Sequence, residues 1–192
     1  MIAGVLLAAG NSSRMGQPKA LLPFNGVSFI DTILSNLNKA GCHPLISILG
    51  EKADLICKQT DVDHFMCVNN PHPEQGMLSS LQLAIRQLPA EVTGFILSLV
   101  DHPAVQADTY QALYKKALDN PERIIIPDFF GQHGHPVYFG RVFFEALLNA
   151  PAHLGARHVV ESNRNRVIYL PVDDEGVILD IDTPEDYNRL VH

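Results

Sequence analysis

The chain has 192 residues, of which 46% are hydrophobic and 18% charged, a composition typical of a globular protein rather than of a disordered or coiled-coil chain. At this length we expect a single domain that covers residues 1–192. The net charge of −7 argues against nucleic acid as the main partner, because binding to a phosphate backbone relies on clustered Lys and Arg.

The cysteines and the N-terminus favour a reducing compartment. Cys42, Cys57 and Cys67 form no C-x-x-C pair, and their odd number does not suit a disulfide framework, so we expect buried reduced thiols. The first apolar run has no basic region before it and a polar loop directly after it, as expected of a core strand and not of a signal peptide. No apolar stretch approaches the roughly 20 residues that span a bilayer. We therefore expect a cytoplasmic location without a membrane partner.

Strand and helix patterns alternate along the chain. The aliphatic run at residues 2–8 predicts a parallel strand buried on both faces, and helical spacing follows at 27–40, up to Gly41. Further strands are predicted at 45–49, 65–68, 94–100, 124–127 and 167–171, and further helices at 51–58, 78–88, 107–118, 142–148, 157–162 and from Pro184. This alternation predicts an α/β fold with an open, mostly parallel, doubly wound (Rossmann-like) sheet and helices on both faces.

Three loops are candidates for a ligand site in such a fold. Ligands bind beyond the carboxyl ends of the strands of an open α/β sheet. The segments 9–19, 69–80 and 101–105 all follow predicted strands. We therefore expect these three loops to converge.

The loop after the first strand has the chemistry of a phosphate site. Its small residues let the backbone approach a ligand, and free N–H groups together with Arg14 and Lys19 can bind an anion. Met15 stands where a P-loop needs its second glycine, and Ser12 interrupts a dinucleotide fingerprint. The missing fingerprint argues against an NAD-dependent oxidoreductase. By composition alone, an ordinary charged surface turn is the alternative.

The loop after the first strand and four motifs later in the chain occur in the order in which one protein family has them. Residues 7–19 read L-A-A-G-N-S-S-R-M-G-Q-P-K and resemble the nucleotide-binding signature of the MobA-like NTP transferases. N-P with G-M-L-S-S-L at 70–81, D-H-P at 101–103 and G-H-P-V at 134–137 resemble the motifs that follow in that family. The A-A-G form of the first loop and I-L-D-I-D-T-P-E-D-Y at 178–187 resemble the MocA branch, the molybdenum cofactor cytidylyltransferases. The resemblance covers nearly the whole chain.

This resemblance implies a fold of the nucleotide-diphospho-sugar transferase type and a defined reaction. The implied reaction transfers CMP from CTP to molybdopterin and releases pyrophosphate. Arg14 and Lys19, the latter expected to face solvent, would neutralise the triphosphate and stabilise charge on the leaving pyrophosphate. Ser79 and Ser80 would read ribose or base edges, although helix capping is their alternative role. The implied nucleotide contacts are Leu7, Ala8, Ala9, Gly10, Ser12, Ser13, Arg14, Lys19, Ser79 and Ser80.

Acidic residues complete the implied site. Asp101 directly follows a predicted strand, where its carboxylate can hold Mg²⁺ against the triphosphate, and with Arg14 and Lys19 it forms the expected catalytic set. A turn or cap role before Pro103 is the alternative for Asp101. By the resemblance Asp182 is the second metal ligand, although a residue at this place also suits a helix N-cap. Asp180 is expected to point away from Asp182.

Several questions stay open from the sequence. The resemblance places His135 near the acceptor without giving it a role. A guanylyltransferase or a sugar-phosphate nucleotidyltransferase is the nearest alternative, and Ala9, where the guanylyl branch tends to have Gly, argues against the former. A non-catalytic module that delivers cofactor to a client such as a molybdoenzyme is the other alternative, and the intact Arg14, Lys19, Asp101 and Asp182 argue against it. The client enzyme and the oligomeric state are not determined.

Overall fold

The computed structural model of the protein describes residues 1–10, 15–60, 65–151 and 154–191. The strands are β1 (Ile2–Ala8), β2 (Pro23–Phe24), β3 (Val27–Ser28), β4 (Leu45–Leu49), β5 (Phe65–Asn69), β6 (Gly94–Leu99), β7 (Ile124–Phe129), β8 (Gln132–His133), β9 (Val137–Gly140) and β10 (Val167–Pro171). The helices are α1 (Phe29–Ala40), α2 (Ala53–Gln59), α3 (Met77–Gln87), α4 (Ala107–Asp119), α5 (Phe144–Asn149), α6 (Gly155–Ser162) and α7 (Pro184–Val191). Within these ranges, no helix has the length and apolar character needed to cross a membrane.

One mixed sheet of eight strands organises the molecule, in the order β10-β7-β9-β6-β1-β4-β5, with β8 paired to β7. β1 is parallel to β4 and β6, β4 to β5, and β7 to β10. In the described part of this sheet, β8 and β9 run antiparallel to their neighbours. The prediction of a mostly parallel sheet is confirmed. Strand β9 was not predicted, because it follows β8 through a short loop and lacks the preceding helix that marks the other strands.

The apolar residues of β1 alternate between two layers. Ala3, Val5 and Leu7 face the layer that contains α3, α5 and α6, whereas Ile2 and Leu6 face the layer that contains α1 and α4. Every residue of β1 is buried. Burial on both faces explains the uninterrupted aliphatic run, and it confirms helices on both sides of the sheet.

Helix α1 begins later than the sequence pattern predicted. The predicted helix at 27–40 begins two residues later, because Val27 and Ser28 pair with the preceding β2. Ser28 caps the helix by accepting a hydrogen bond from the Asp31 N–H. Gly41 ends it with a φ of 101°, a left-handed conformation that favours glycine.

The expectation of buried reduced thiols holds only for Cys42. That residue is buried, and desolvation raises the pKa of its thiol to about 12. Cys57 on α2 and Cys67 on β5 are instead joined as a disulfide, with their Cα atoms 6.5 Å apart. Cys67 lies exposed on the edge strand β5, and α2 brings Cys57 over it. The spacing of the two residues in the sequence did not reveal this packing.

A buried carboxylate ties the C-terminal part of the chain to α4. Asp174 accepts hydrogen bonds from the Gln106 N–H at 2.9 Å, the Thr109 hydroxyl at 2.6 Å and the Gly176 N–H at 3.0 Å. The N-terminus of α4 has no side-chain cap of its own from Gln106. Asp174, which is distant in the sequence, therefore supplies the N-terminal cap of α4 that the residues next to this helix do not provide.

We expect Asp174→Ala to lower the free energy of unfolding by about 3 kcal/mol, because buried donors lose a charged acceptor. The effect is measured by urea denaturation. The matched control is Asp173→Ala at the exposed neighbouring carboxylate, which should change stability by less than about 0.5 kcal/mol. Equal small effects of both substitutions would contradict the capping role.

Candidate active site at the carboxyl edge of the sheet

The predicted loops converge at the carboxyl edge of the parallel strands. The Val100 N–H donates to the Leu7 carbonyl at 3.1 Å, and the Asn70 N–H donates to the Leu49 carbonyl at 2.7 Å. Gly50, the residue after β4, lies against the loop that follows β1. A Cβ atom at this position would lie 2.6 Å from the Ala9 carbonyl oxygen. The loops after β1, β4, β5 and β6 thus form one surface.

A small cavity of about 140 Å³ opens at this surface. Ala8, Gly10 and Lys19 line it, together with Gly50 and Val100 from the neighbouring loops. Small side chains beside a cation suit a phosphate group. Leu7 is buried in the sheet and does not line the cavity. The expected contacts Ser12, Ser13 and Arg14 lie outside the described residues.

Lys19 is covered rather than solvent-facing, which corrects the expectation from the sequence. Its side chain is only 12% exposed, and its ammonium group donates to Asp182 Oδ1 at 2.5 Å. The segment that leads into α7 brings Asp182 to Lys19 across 163 positions of the chain. The cation of the phosphate loop and the acidic C-terminal motif therefore belong to the same site.

Asp101 belongs to a polar cluster just beyond β6, in which His102 is the buried member. His102 Nε2 lies 2.7 Å from Asp180 Oδ1 and 3.8 Å from Asp101 Oδ1. Burial raises the pKa of Asp101, nearby His102 and Lys19 lower it, and Asp180 raises it further. Asp101 Oδ1 is buried without a hydrogen-bond partner among the described residues. A cation beside this oxygen would supply the interaction that the protein leaves unmade.

The expectation that Asp180 points away from the site is wrong. Residues two apart in an extended segment lie on the same side of the chain. Ile181 is fully buried, and its N–H donates to the Asp101 carbonyl at 2.9 Å. Its two neighbours both reach the site, Asp180 at His102 and Asp182 at Lys19.

Asp182 does not cap α7. Thr183 does so, because its hydroxyl donates to Asp186 Oδ2 at 2.7 Å and accepts from the Asp186 N–H at 3.2 Å. Pro184 occupies the first helical position, where a missing N–H costs nothing. The carboxylate of Asp182 is therefore not used in capping.

The carboxylates fit a hard divalent cation that arrives with a phosphate ligand. Asp101 and Asp182 offer oxygen donors, and the unpartnered oxygen of Asp101 is the observation in favour of such an ion. Among the residues that the structure describes, no three His, Cys, Asp or Glu side chains form a group that could hold a metal by themselves. Mg²⁺ usually takes one or two protein carboxylates and completes its shell with water and phosphate oxygens.

Ser79 and Ser80 organise the loop between β5 and α3. The buried Asn70 amide donates to Ser80 Oγ at 2.9 Å and to Ser79 Oγ at 3.1 Å. Ser80 lies on the buried face of α3, four residues before the buried Ala84, so its hydroxyl faces Asn70 and not solvent. Ser79 donates to the Gly76 carbonyl at 2.8 Å. These contacts and its burial give Ser80 a supporting role, whereas nucleotide contact by the partly exposed Ser79 stays a prediction.

His135 lies between the acidic cluster and a second cavity. Its ring centroid is 5.3 Å from that of His102, and burial lowers the pKa of His135 to about 4, helped by His102. The imidazole is therefore neutral at neutral pH. The preceding Gly134 passes so close to Val177 that a Cβ atom would lie 1.8 Å from its carbonyl oxygen, which explains the glycine of the G-H-P-V motif.

The second cavity measures about 860 Å³ and was not predicted from the sequence. Its walls come from α3, β6, β7, β9, α6 and β10, together with the loop that carries His135. The lining residues are spread from Met77 to Tyr169. No local pattern marks such a cavity, because it depends on how the helices lie over the sheet.

An open α/β sheet whose carboxyl edge combines small loop residues, a lysine and aspartates is typical of enzymes that act on phosphorylated ligands. The sequence resemblance agrees with this class. The chain belongs to the MobA-like NTP transferase domain family, whose model matches residues 4–167.

Two similar proteins carry different names. Nicotine blue oxidoreductase of Paenarthrobacter nicotinovorans is 28% identical over 204 residues, with 99% of this chain and 96% of that protein covered. Molybdenum cofactor cytidylyltransferase of Escherichia coli (strain K12) is 26% identical over 184 residues, with 95% and 92% covered. The family rests on the matching domain model, and identity at this level leaves the particular reaction to be argued from the site.

Solved structures agree with the fold. Rv0371c from Mycobacterium tuberculosis H37Rv has a TM-score of 0.89 and 32% identity, with 100% of this chain and 98% of that chain covered. A complex of Rv0371C with manganese has a TM-score of 0.83 and 30% identity, with 99% and 97% covered. The expected nucleotide-diphospho-sugar transferase type of fold is confirmed.

Proposed function

We propose that the protein transfers CMP from CTP to a molybdopterin-type acceptor and releases pyrophosphate. The observation that carries this proposal is the meeting of Lys19, Asp101 and Asp182 beside the small cavity at the carboxyl edge. Family membership supports nucleotidyl transfer, and the cytidylyltransferase from Escherichia coli supports the base and the acceptor. A cytoplasmic location, where CTP is available, is part of the proposal.

The reaction brings two anions together. A phosphate oxygen of the acceptor attacks the α-phosphorus of CTP in line, and pyrophosphate leaves from the opposite side. Lys19 neutralises the triphosphate and the charge that develops on the leaving group, and Arg14 is the second cation of this role. Because Lys19 lies in the segment that follows β1, it would approach the phosphates together with backbone N–H groups of that segment.

The ion pair between Lys19 and Asp182 would be exchanged for new contacts when the nucleotide binds. When the triphosphate arrives, its oxygens compete with Asp182 for the Lys19 ammonium group. The released Asp182 carboxylate would then hold Mg²⁺ together with Asp101, and the bound ion would supply charge stabilisation on the phosphate oxygens. The similar protein Rv0371C has been solved as a complex with manganese, which supports the use of a divalent cation.

The oxidoreductase name of one relative motivates a second candidate, hydride transfer. The loop after β1 argues against it here, because Ser12 stands where the dinucleotide fingerprint has glycine. A largely covered lysine beside aspartates at the carboxyl edge also matches phosphate chemistry better than nicotinamide chemistry. A test for oxidation of NADH or NADPH by the purified protein separates the candidates, and we expect none.

We expect CTP to support turnover at least about tenfold better than GTP, because a base-reading site discriminates through hydrogen bonds. The protein is incubated with molybdopterin, Mg²⁺ and each of the four NTPs, and pyrophosphate release is measured. Preference for GTP would contradict the cytidylyl assignment while leaving nucleotidyl transfer intact. Full activity in EDTA would contradict the proposed cation.

A further inference from the structure

The turn after β6 is joined to the acidic segment 180–182 by two hydrogen bonds. The Ile181 N–H donates to the Asp101 carbonyl at 2.9 Å. His102 Nε2 donates to Asp180 Oδ1 at 2.7 Å. Ile181, in the middle of the segment, is fully buried. The backbone of the segment is therefore fixed against the turn, and His102 supplies the side-chain half of this attachment.

His102 is the rigid member of its pair with Asp180. The histidine side chain is 7% exposed, whereas that of Asp180 is 64% exposed. The ring of His102 packs beside that of His135, with centroids 5.3 Å apart, and the His102 N–H donates to the Leu99 carbonyl at 3.2 Å. An exposed carboxylate populates several rotamers unless a fixed donor selects one of them. The buried imidazole is such a donor for Asp180.

The influence of His102 on the site passes through Asp180 and not directly through Asp101. The distance from His102 Nε2 to Asp101 Oδ1 is 3.8 Å, which is too long for a hydrogen bond. Asp180 lies two residues before Asp182, and residues two apart in an extended segment lie on the same side of the chain. Fixing Asp180 therefore fixes the direction in which Asp182 points. When a triphosphate occupies Lys19, this attachment is what keeps Asp182 beside Asp101.

We propose that His102 is a positioning residue for the divalent cation. Through Asp180 it holds Asp182 at the separation from Asp101 that lets both carboxylates bind one ion, and it touches neither the ion nor the nucleotide. This inference rests on the proposed function, because it takes Asp101 and Asp182 as the ligands. Mg²⁺ demands near-ideal octahedral geometry, and partners that orient metal ligands typically change metal affinity by about 10- to 100-fold. A residue that only stabilised the fold would leave this affinity unchanged.

The test measures binding of Mn²⁺ without nucleotide, from the electron paramagnetic resonance signal of the unbound ion. His102→Phe keeps a ring beside His135 but donates no hydrogen bond, and it should raise the Kd of Mn²⁺ by at least about tenfold. His102→Gln can still donate from Nε2 and should stay within about threefold of wild type. Asp180→Ala should match His102→Phe. The double variant should bind no more weakly than either single variant, because both substitutions break the same contact.

The control is His43→Phe, because His43 is an exposed histidine before β4, at the opposite edge of the sheet. Its Kd for Mn²⁺ should not change. Thermal unfolding is measured on the same preparations. A lower Tm with an unchanged Kd for Mn²⁺ in His102→Phe would make the histidine structural and overturn the inference. If His102→Phe does not fold, Asp180→Ala decides the question, because its side chain is exposed.

Turnover separates the role of His102 from the reaction itself. In His102→Phe the KM for Mg²⁺ should rise by at least about tenfold, while kcat at saturating Mg²⁺ stays within about threefold of wild type. A lower kcat with an unchanged KM for Mg²⁺, or wild-type protein that does not bind Mn²⁺, would overturn the inference. The expected differences in Mn²⁺ affinity without turnover of CTP would support the role of His102 and contradict the proposed function.

Discussion

Asp101→Asn is expected to lower metal-dependent turnover by at least about a thousandfold. The amide is nearly isosteric but carries no charge to hold a cation against the triphosphate. A metal contributes several kcal/mol of transition-state stabilisation, and each 1.36 kcal/mol is about tenfold in rate. The measurement is kcat at saturating Mg²⁺. Binding of CTP without metal should weaken much less, or tighten, because a negative charge beside the phosphates is removed.

Asp180→Asn is the matched control for that substitution. It removes the neighbouring carboxylate, which contacts His102, and leaves both proposed metal ligands in place. We expect its turnover to stay within about tenfold of wild type, the scale of a single lost hydrogen bond. If Asp101→Asn kept near wild-type turnover at saturating Mg²⁺, the ligand role of Asp101 would be refuted. If Asp180→Asn had the larger effect, Asp180 would be the ligand instead.

Lys19→Ala is expected to lower kcat/KM for CTP by about 10²–10³, the loss typical of one preorganised contact to developing charge. The fold should survive, because the partner Asp182 is 43% exposed and water can solvate the carboxylate that is left unpaired. Turnover and thermal unfolding are measured on the same preparation. Lys19→Arg is the charge-preserving control, which should recover part of the rate.

One outcome for Lys19→Ala would contradict the proposed catalytic role of Lys19. Unfolding of Lys19→Ala with full activity in the remaining folded fraction would make the residue structural. A further check comes from Lys116→Ala on the last turn of α4, which removes a cation far from the carboxyl edge. It should leave turnover unchanged, so a general effect of net charge can be distinguished from a local one.

Most strands and helices, and the edge of the sheet that carries the site, could be predicted from the sequence. Residues 45–49 and 167–171 were predicted with the bounds that the structure has. Residues 45–49 form a fully buried aliphatic run, which leaves a strong local signal. Asp101 was placed correctly after β6, since a polar residue that ends a buried run marks the carboxyl end of a parallel strand.

Only the tertiary structure decided which distant residues meet. It showed that Asp180 and Asp182 both face the site, that Asp174 caps α4 and that Cys57 pairs with Cys67. It also placed β9 between β6 and β7 and so created the cavity beside Tyr169. The physical reason is that periodicity reports which face of an element is buried, whereas these contacts depend on which elements become neighbours.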